Sequence, residues 1–318
     1  MSIRTESVFD SLKASLATIL QDFDNSARIL YIDYPVHLNI GDLLINLGAE
    51  QFFKENHLNI ARRYYLLDIP DVIPGVDDKT VFMMHGGGNF GDIWDTHQAM
   101  RENLLTRYPR NRFVFLPQTV HFNNVEEERR SLGKMAAHKN AKFYGRDHRS
   151  YEILKRNGIA ELGMLPDMAH QLWGMLEPSS KPSSEAPFYL IRKDRETKGK
   201  PAGHLVPDNV ETVDWEDIIT FSNRSKSAFA RRFMRYQARF KGPFDNSRIW
   251  YPIRDSAVQD GVRSVSKHSE VISDRLHAMI LGLLLKRKVV AMDNNYGKIS
   301  TYANTWLANA DLLQLHQV

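Results

Sequence analysis

The chain has 318 residues, 42% hydrophobic and 25% charged, which is enough apolar material for a sizeable core and excludes a disordered or fibrous chain. It contains no cysteine, so disulfides, thiolate metal sites, iron–sulfur clusters and a cysteine nucleophile are excluded. A net charge of +4 is mildly basic and names no partner, and the length sets an expectation of two domains or one large one.

The N-terminal MSIRTESVFDSLKASLATIL is mixed in charge and predicts an amphipathic helix rather than a signal peptide. With no long apolar run anywhere, a cytoplasmic protein is expected. Arg28–Asp33 predicts a buried strand, and apolar residues at helical spacing predict a helix over 43–56. Strands are expected at 63–67, 81–84, 112–116 and 141–144, with helices at 96–108 and 149–157. The polar, proline-bearing stretch 177–187 predicts a linker. Beyond it, strands are expected at 188–191, 248–251, 271–273 and 288–292, with helices over most of 215–240 and at 275–285. Strand–helix alternation predicts an α/β fold with mainly parallel sheets, divided into domains 1–178 and 186–318 that face a cleft.

In open parallel sheets, ligands bind beyond the carboxyl ends of strands. Four glycines fall among the eight residues His85–Asp92, and the spacing matches neither the dinucleotide fingerprint nor the phosphate loop with its lysine. Gly87, Gly88 and Asn89 therefore belong either to a tight turn or to a wall of a substrate site. Arg146, Arg275 and Lys298 follow strand ends, as surface ion-pair residues or as anion clamps. His121 and His277 are the proton-transfer candidates, with a structural hydrogen-bonding role as the alternative; His37, His85, His97 and His170 are weaker ones. Asp42 and Asp92 each close an Asn-x-Gly-Asp motif, as helix N-caps or as cleft carboxylates that bind or deprotonate a sugar hydroxyl. No histidine pattern supports a metal site.

Together Asn39-Ile-Gly-Asp42, His85–Asp92, Leu116–His121, Arg146-Asp147, Leu165-Pro-Asp167, Ser273–Ala278 and Tyr296-Gly-Lys298 form an ordered set that resembles the polysaccharide pyruvyl transferase family. The resemblance implies two Rossmann-like domains similar to the B-type glycosyltransferases. It implies transfer from phosphoenolpyruvate to a sugar of an exopolysaccharide or other surface glycan, with a ketal formed and phosphate released. It places donor binding on Arg146, Arg275, Leu276 and His277, and points also to His121. The chemistry needs cationic clamps, an acid and a base, with phosphoenolpyruvate as donor substrate and no metal or redox cofactor. The alternatives are a nucleotide-sugar glycosyltransferase on the same architecture and an inactive carbohydrate-binding protein.

Residues 224–241 hold seven basic residues and no acidic one, with Phe229, Phe233, Tyr236 and Phe240 on one helical stripe. One reading packs the aromatic stripe onto the second domain; another lays it on anionic lipid at the inner face of the membrane, where a lipid-linked sugar acceptor is carried. Nucleic acid is not an expected partner.

Overall fold

The computed structural model of the chain describes residues 3–178, 181–193, 206–207, 209–239, 244–293 and 297–316. Ser179 and Ser180 of the expected linker, Phe240 and Lys241 of the basic stretch, and Tyr296 lie outside them.

The elements of the first part are α1 (Ile3–Ser15), β1 (Ile29–Ile32), α2 (Ile40–Glu55), β2 (Ile60–Tyr64), β3 (Val81–Met84), β4 (Gly87–Gly91), α3 (Asp95–Arg107), β5 (Arg112–His121), α4 (Val125–Ala137), β6 (Ala141–Gly145), α5 (His148–Arg156) and β7 (Glu161–Met164). The second part contains β8 (Phe188–Leu190), α6 (Trp215–Ile218), α7 (Phe221–Arg239), α8 (Ser247–Ser266), β9 (Glu270–Ser273), α9 (Leu276–Leu284), β10 (Lys288–Met292), α10 (Lys298–Trp306) and β11 (Leu313–His316). Strands β1–β7 form one sheet in the order β2-β1-β3-β5-β6-β7, with β4 paired to the end of β5; β8–β11 form a second in the order β11-β10-β9-β8. Every pairing is parallel.

Parallel strands covered on both faces need apolar side chains at consecutive positions, and the central strands have them. Ile29 and Tyr31 point to one face and Leu30 and Ile32 to the other; Val81, Met83 and Phe82, Met84 divide the same way. On the second face Phe82 stacks on Phe113 at 4.6 Å and Phe115 on Phe143 at 4.1 Å. The first face belongs to one hydrophobic cluster that runs from Phe9 and Leu43 through Met168 to Trp250, Leu281 and Tyr302, so both sheets share it. The end of the linker stretch is pinned: Ser183 and Ser184 N–H groups both donate to the Lys267 carbonyl at 3.0 Å.

Three sequence expectations are corrected. The glycine run is a strand, β4, rather than a turn. It pairs with β5, which continues beyond Pro117 through a register shift between Phe115 and Gln118. The approach is so close that a Cβ on Gly91, at φ +135°, would lie 1.7 Å from the His121 carbonyl oxygen. Residues 248–251 are not a strand but the start of α8. Buried Trp250, Arg254, Ala257, Val258, Gly261, Val262 and Val265 follow a helical period that outlasts the short β-branched and aromatic run. Finally, α7 does not bury its aromatic stripe. Its inner face is Asn223, Ser227, Ala230 and Met234, while Phe229 and Tyr236 are mostly exposed.

Helix α2 packs against the turn around Met168, and a Cβ on Gly48 would stand 2.0 Å from the Met168 carbonyl oxygen. Gly48→Ala should therefore cost about 2–4 kcal/mol in denaturant unfolding, in line with overpacking of a core. Gly133, exposed in α4 with open space around it, should behave oppositely, Gly133→Ala adding roughly 0.5–1 kcal/mol.

Candidate active site

The carboxyl ends of both sheets converge on one carboxylate. Asp167 follows β7 and is fully buried. It accepts hydrogen bonds from Arg146 Nη1 at 2.6 Å, His277 Nε2 at 3.3 Å and the Ala169 N–H at 2.9 Å. Burial alone would raise its carboxyl, but the charge and hydrogen bond of His277 and the charge of Arg146 hold it well below the ordinary carboxylate range. Being ionised it can only accept, so the proton between the two side chains sits on His277 Nε2. Tyr302 on α10 completes the hub, its hydroxyl accepting the Asp167 N–H at 2.9 Å.

Arg146 leaves β6 at the edge of this hub. Its Nε donates to Thr119 Oγ1 on β5, and its Nη2 rests against Gly88, where a Cβ would lie 3.5 Å away. The imidazole of His277, in the first turn of α9, rests on Gly41 in the first turn of α2, where a Cβ would meet Nδ1 at 2.7 Å. Two of the sequence motifs, Asn39–Asp42 and Ser273–Ala278, are thus in contact through a glycine that leaves room for the ring.

Lys298 opens α10 after Gly297, which takes the left-handed conformation at φ 64°. Burial, then the charges of Arg192, Arg146 and Arg149, push its ammonium down to about 8, with Asp147 opposing them. Lys298 and Arg149 line a small open cleft together with Thr119, Val120, His121, Asp147, Gly297 and Thr301. Arg149, at the start of α5, and Arg192, just after β8, were not singled out from the sequence; their position past strand ends was the available signal.

Other candidates have engagements of their own. Arg275 Nη2 donates to Asp214 Oδ2, in a buried pair that joins α9 to the capping box of α6. Leu276 packs against the shared core. His121, at the end of β5, lines the cleft with Nε2 3.2 Å from Asn123 Oδ1. Neither Asp42 nor Asp92 is an N-cap. Asn39 caps α2 through the Gly41 N–H, and Asp42 sits in the first turn, 3.7 Å from His37 Nε2 and 4.0 Å from where a Gly87 Cβ would lie. Asp92 accepts the backbone N–H groups of Asn123 and Asn124, fastening the loop into α4. Asn89 accepts from Arg101 through its side-chain oxygen. His85 and His170 are pushed down to about 4 by burial and stay neutral at pH 7. No group of three or more His, Asp or Glu side chains among the described residues is arranged to hold a metal ion.

The crowding at Lys298 has a thermodynamic sign. The unfolded lysine keeps its proton up to about 10.5 and the folded one loses it near 8, so the folded state binds fewer protons across that window. Its contribution to stability therefore improves as pH rises from 8 to 10.5. A bound dianion favours the ammonium and reverses the shift. Titration calorimetry with inorganic phosphate at about pH 8.5, in buffers of different ionisation enthalpy, should show proton uptake on binding; Lys298→Met should abolish it.

The polysaccharide pyruvyl transferase family profile matches residues 39–296. The chain is 32% identical to "Putative pyruvyl transferase EpsO" of Bacillus subtilis over 311 residues, covering 96% of this chain and 94% of that protein. It is 24% identical to "Pyruvyl transferase 1" of Schizosaccharomyces pombe, covering 91% of this chain and 72% of that one. Among solved structures, a functionally uncharacterized Klebsiella pneumoniae protein shares the fold, with a TM-score of 0.66 at 17% identity over 96% of this chain and 99% of the other. A family profile over residues 39–296 and a relative 32% identical over nearly the whole chain make this chain a member of the polysaccharide pyruvyl transferase family.

Proposed function

We propose that the chain transfers the pyruvyl group of phosphoenolpyruvate to a sugar of an exopolysaccharide or other surface glycan, releasing phosphate. The observation that supports this reading is the cleft lined by Lys298 and Arg149, with the charges of Arg146 and Arg192 also acting on Lys298. A phosphate and a carboxylate on a three-carbon frame need such a set, because guanidinium groups fork onto both and an ammonium adds a point charge. The two sheets act as Rossmann-like lobes, arranged as in B-type glycosyltransferases, with the donor between them and the acceptor on the side of the first.

Protonation of the methylene carbon makes the adjacent carbon electrophilic. A sugar hydroxyl adds there, the phosphate leaves, and a second hydroxyl closes the ketal. Two protons leave the hydroxyls; one equivalent goes to the methyl group and one to phosphate, so the balance needs no oxidant or cofactor. Arg146 and Lys298 hold the anionic oxygens and stabilise the departing phosphate. His277, oriented by Asp167, and His121 at the mouth of the cleft are the groups that move protons on the donor side.

Phosphate release from phosphoenolpyruvate with a panel of glycan acceptors tests this directly. Arg146→Ala and His277→Ala should each lower turnover by about 10²–10⁴-fold. Phosphoenolpyruvate, and not a nucleoside diphosphate, should raise the melting temperature. Stabilisation by the nucleotide alone would favour the glycosyltransferase reading, and wild-type turnover in both variants would end the assignment.

The outer face of α7 adds a partner to this reading. Phe229 is 75% and Tyr236 59% exposed, with Phe233 beside them, and Lys226, Arg232, Arg235 and Arg239 flank the stripe on the solvent side. Aromatic rings edged by cations and with no acidic residue fit an anionic bilayer surface, where each cation contributes about 1 kcal/mol. No helix among the described residues is long and apolar enough to cross a membrane, so contact would be peripheral. The protein should co-sediment with vesicles containing anionic lipid, less so at high salt, and Phe229→Glu with Phe233→Glu should release it. Absence of binding at every salt concentration, or burial of this face in a dimer, would remove the bilayer from the reading.

A further inference from the structure

A second histidine–carboxylate pair, His97 and Asp33, is bonded by Asn89 of the glycine strand, and nothing assigned so far uses it. Asp33, at the end of β1, adopts the left-handed conformation at φ 73°, a costly choice for a non-glycine residue. Its carboxylate is buried, 2% exposed. It accepts from His97 Nδ1 at 2.8 Å, from Arg101 Nη2 at 3.2 Å and from Asn89 Nδ2 at 3.4 Å. Arg101 is itself buried, lies over the Phe90 ring, and donates from Nη1 to the Asn89 carbonyl at 2.9 Å.

Burial would raise the Asp33 carboxyl, but His97 and Arg101 hold it low, so it accepts only. The proton on the His97 ring is then fixed at Nδ1, which leaves the lone pair at Nε2. Arg101 already neutralises Asp33. The imidazole is not needed for charge balance, and about a quarter of its side chain is exposed. Beside it, edge to face at 6.4 Å, Trp94 presents an indole that is half exposed on the loop entering α3.

Position relates this pair to the donor. Arg146 rests against Gly88, and the next residue, Asn89, bonds Asp33 and Arg101. Donor clamp and histidine pair therefore meet on neighbouring residues of β4.

Resting on the pyruvyl-transfer reading, we propose that His97 is the acceptor-side base and Trp94 the platform beneath the acceptor sugar, with Asp33 as the positioning residue. As the hydroxyl oxygen uses its lone pair to bond the electrophilic carbon of the protonated donor, its O–H proton passes to His97 Nε2. The carbon–oxygen bond to phosphate then breaks, and phosphate leaves with that electron pair. The same orientation of an imidazole by a buried carboxylate supplies general bases on unrelated folds.

Three measurements on the full chain test this. His97→Gln should leave the melting-temperature rise with phosphoenolpyruvate intact and lower kcat for phosphate release by about 10²-fold or more. Trp94→Ala should raise KM for the glycan about tenfold and leave kcat within about twofold. Imidazole nitrogen NMR of the wild-type protein at about pH 8, assigned by the signal lost in His97→Gln, should show the Nδ1-protonated tautomer that Asp33 imposes. Wild-type kcat in His97→Gln, or a proton on Nε2, would overturn the proposal. If wild-type protein released no phosphate with any acceptor, the pyruvyl-transfer reading would fall and take the base assignment with it, whereas failure of the histidine alone would leave donor binding and wild-type turnover in place.

Discussion

A carboxylate with no contact with water is the constraint around which the rest of the molecule is arranged. An ionised Asp167 without partners would cost several kcal/mol, so the fold must deliver a guanidinium, an imidazole and a backbone N–H to it together. Arg146 comes from the end of β6 in the first sheet and His277 from the start of α9 behind the second. Tyr302 adds a third element by taking the Asp167 N–H. Arg146 and the Ala169 N–H come from the same part of the chain as Asp167, while His277 and Tyr302 reach it from the second part, whose apolar residues share one hydrophobic cluster with the first.

The electrostatics centre on two kinds of group. At Asp167 and at Asp33, buried carboxylates are matched by cations and imidazoles. At Lys298 an ammonium is partly desolvated, and the charges of three arginines, one of them the Arg146 that pairs with Asp167, weaken its hold on its proton. A bound anion would reverse that effect. In the proposed reaction it would help to stabilise charge on the leaving phosphate.

The sequence exposed the parts of this arrangement that follow from local rules. Strand runs such as 81–84 and 288–292 coincide with β3 and β10, because strands buried on both faces need unbroken apolar sequence. Arg146, His277 and Lys298 were visible as polar residues just past strand ends. What could not be read depends on tertiary contacts. The strand β4 has almost no side chains to carry a period, and it exists because the stretch of β5 beyond Pro117 offers a ladder to glycines. Asp167 was visible only as part of a motif; its role appears once two distant segments reach it. Arg275 looked equivalent to Arg146 by position, and each is paired with a buried carboxylate in the folded chain, Asp214 and Asp167, that position alone did not reveal. The stripe on α7 shows the limit of periodicity, which reveals that a helix has an aromatic face and not which way that face turns. Here the small residues Ser227 and Ala230 let the helix lie close to its neighbours, and the rings are left outside.

The glycine strand bears on how the proposed transfer could be kept from water. The electrophilic carbon would hydrolyse if solvent reached it, so donor and acceptor would have to be in direct contact in a closely fitted site. A lining with bulky side chains would hold them apart. In β4, Gly87 faces Asp42 and Ile45, Gly88 faces the Arg146 guanidinium, and Asn89 reaches the Asp33 pair, while Gly91 lies too close to β5 to accept even a methyl group. Arg146 and the His97–Asp33 pair thus contact adjacent residues, 88 and 89, of one strand. Polar satisfaction also fixes the strand: Gln98 accepts the Gly91 N–H at 3.1 Å and Arg101 binds Asn89 twice. The buried charge of Arg101 therefore holds rigid a segment whose composition would otherwise leave it loose. A strand that is both bare and immobile would give the proposed substrates a close and fixed approach.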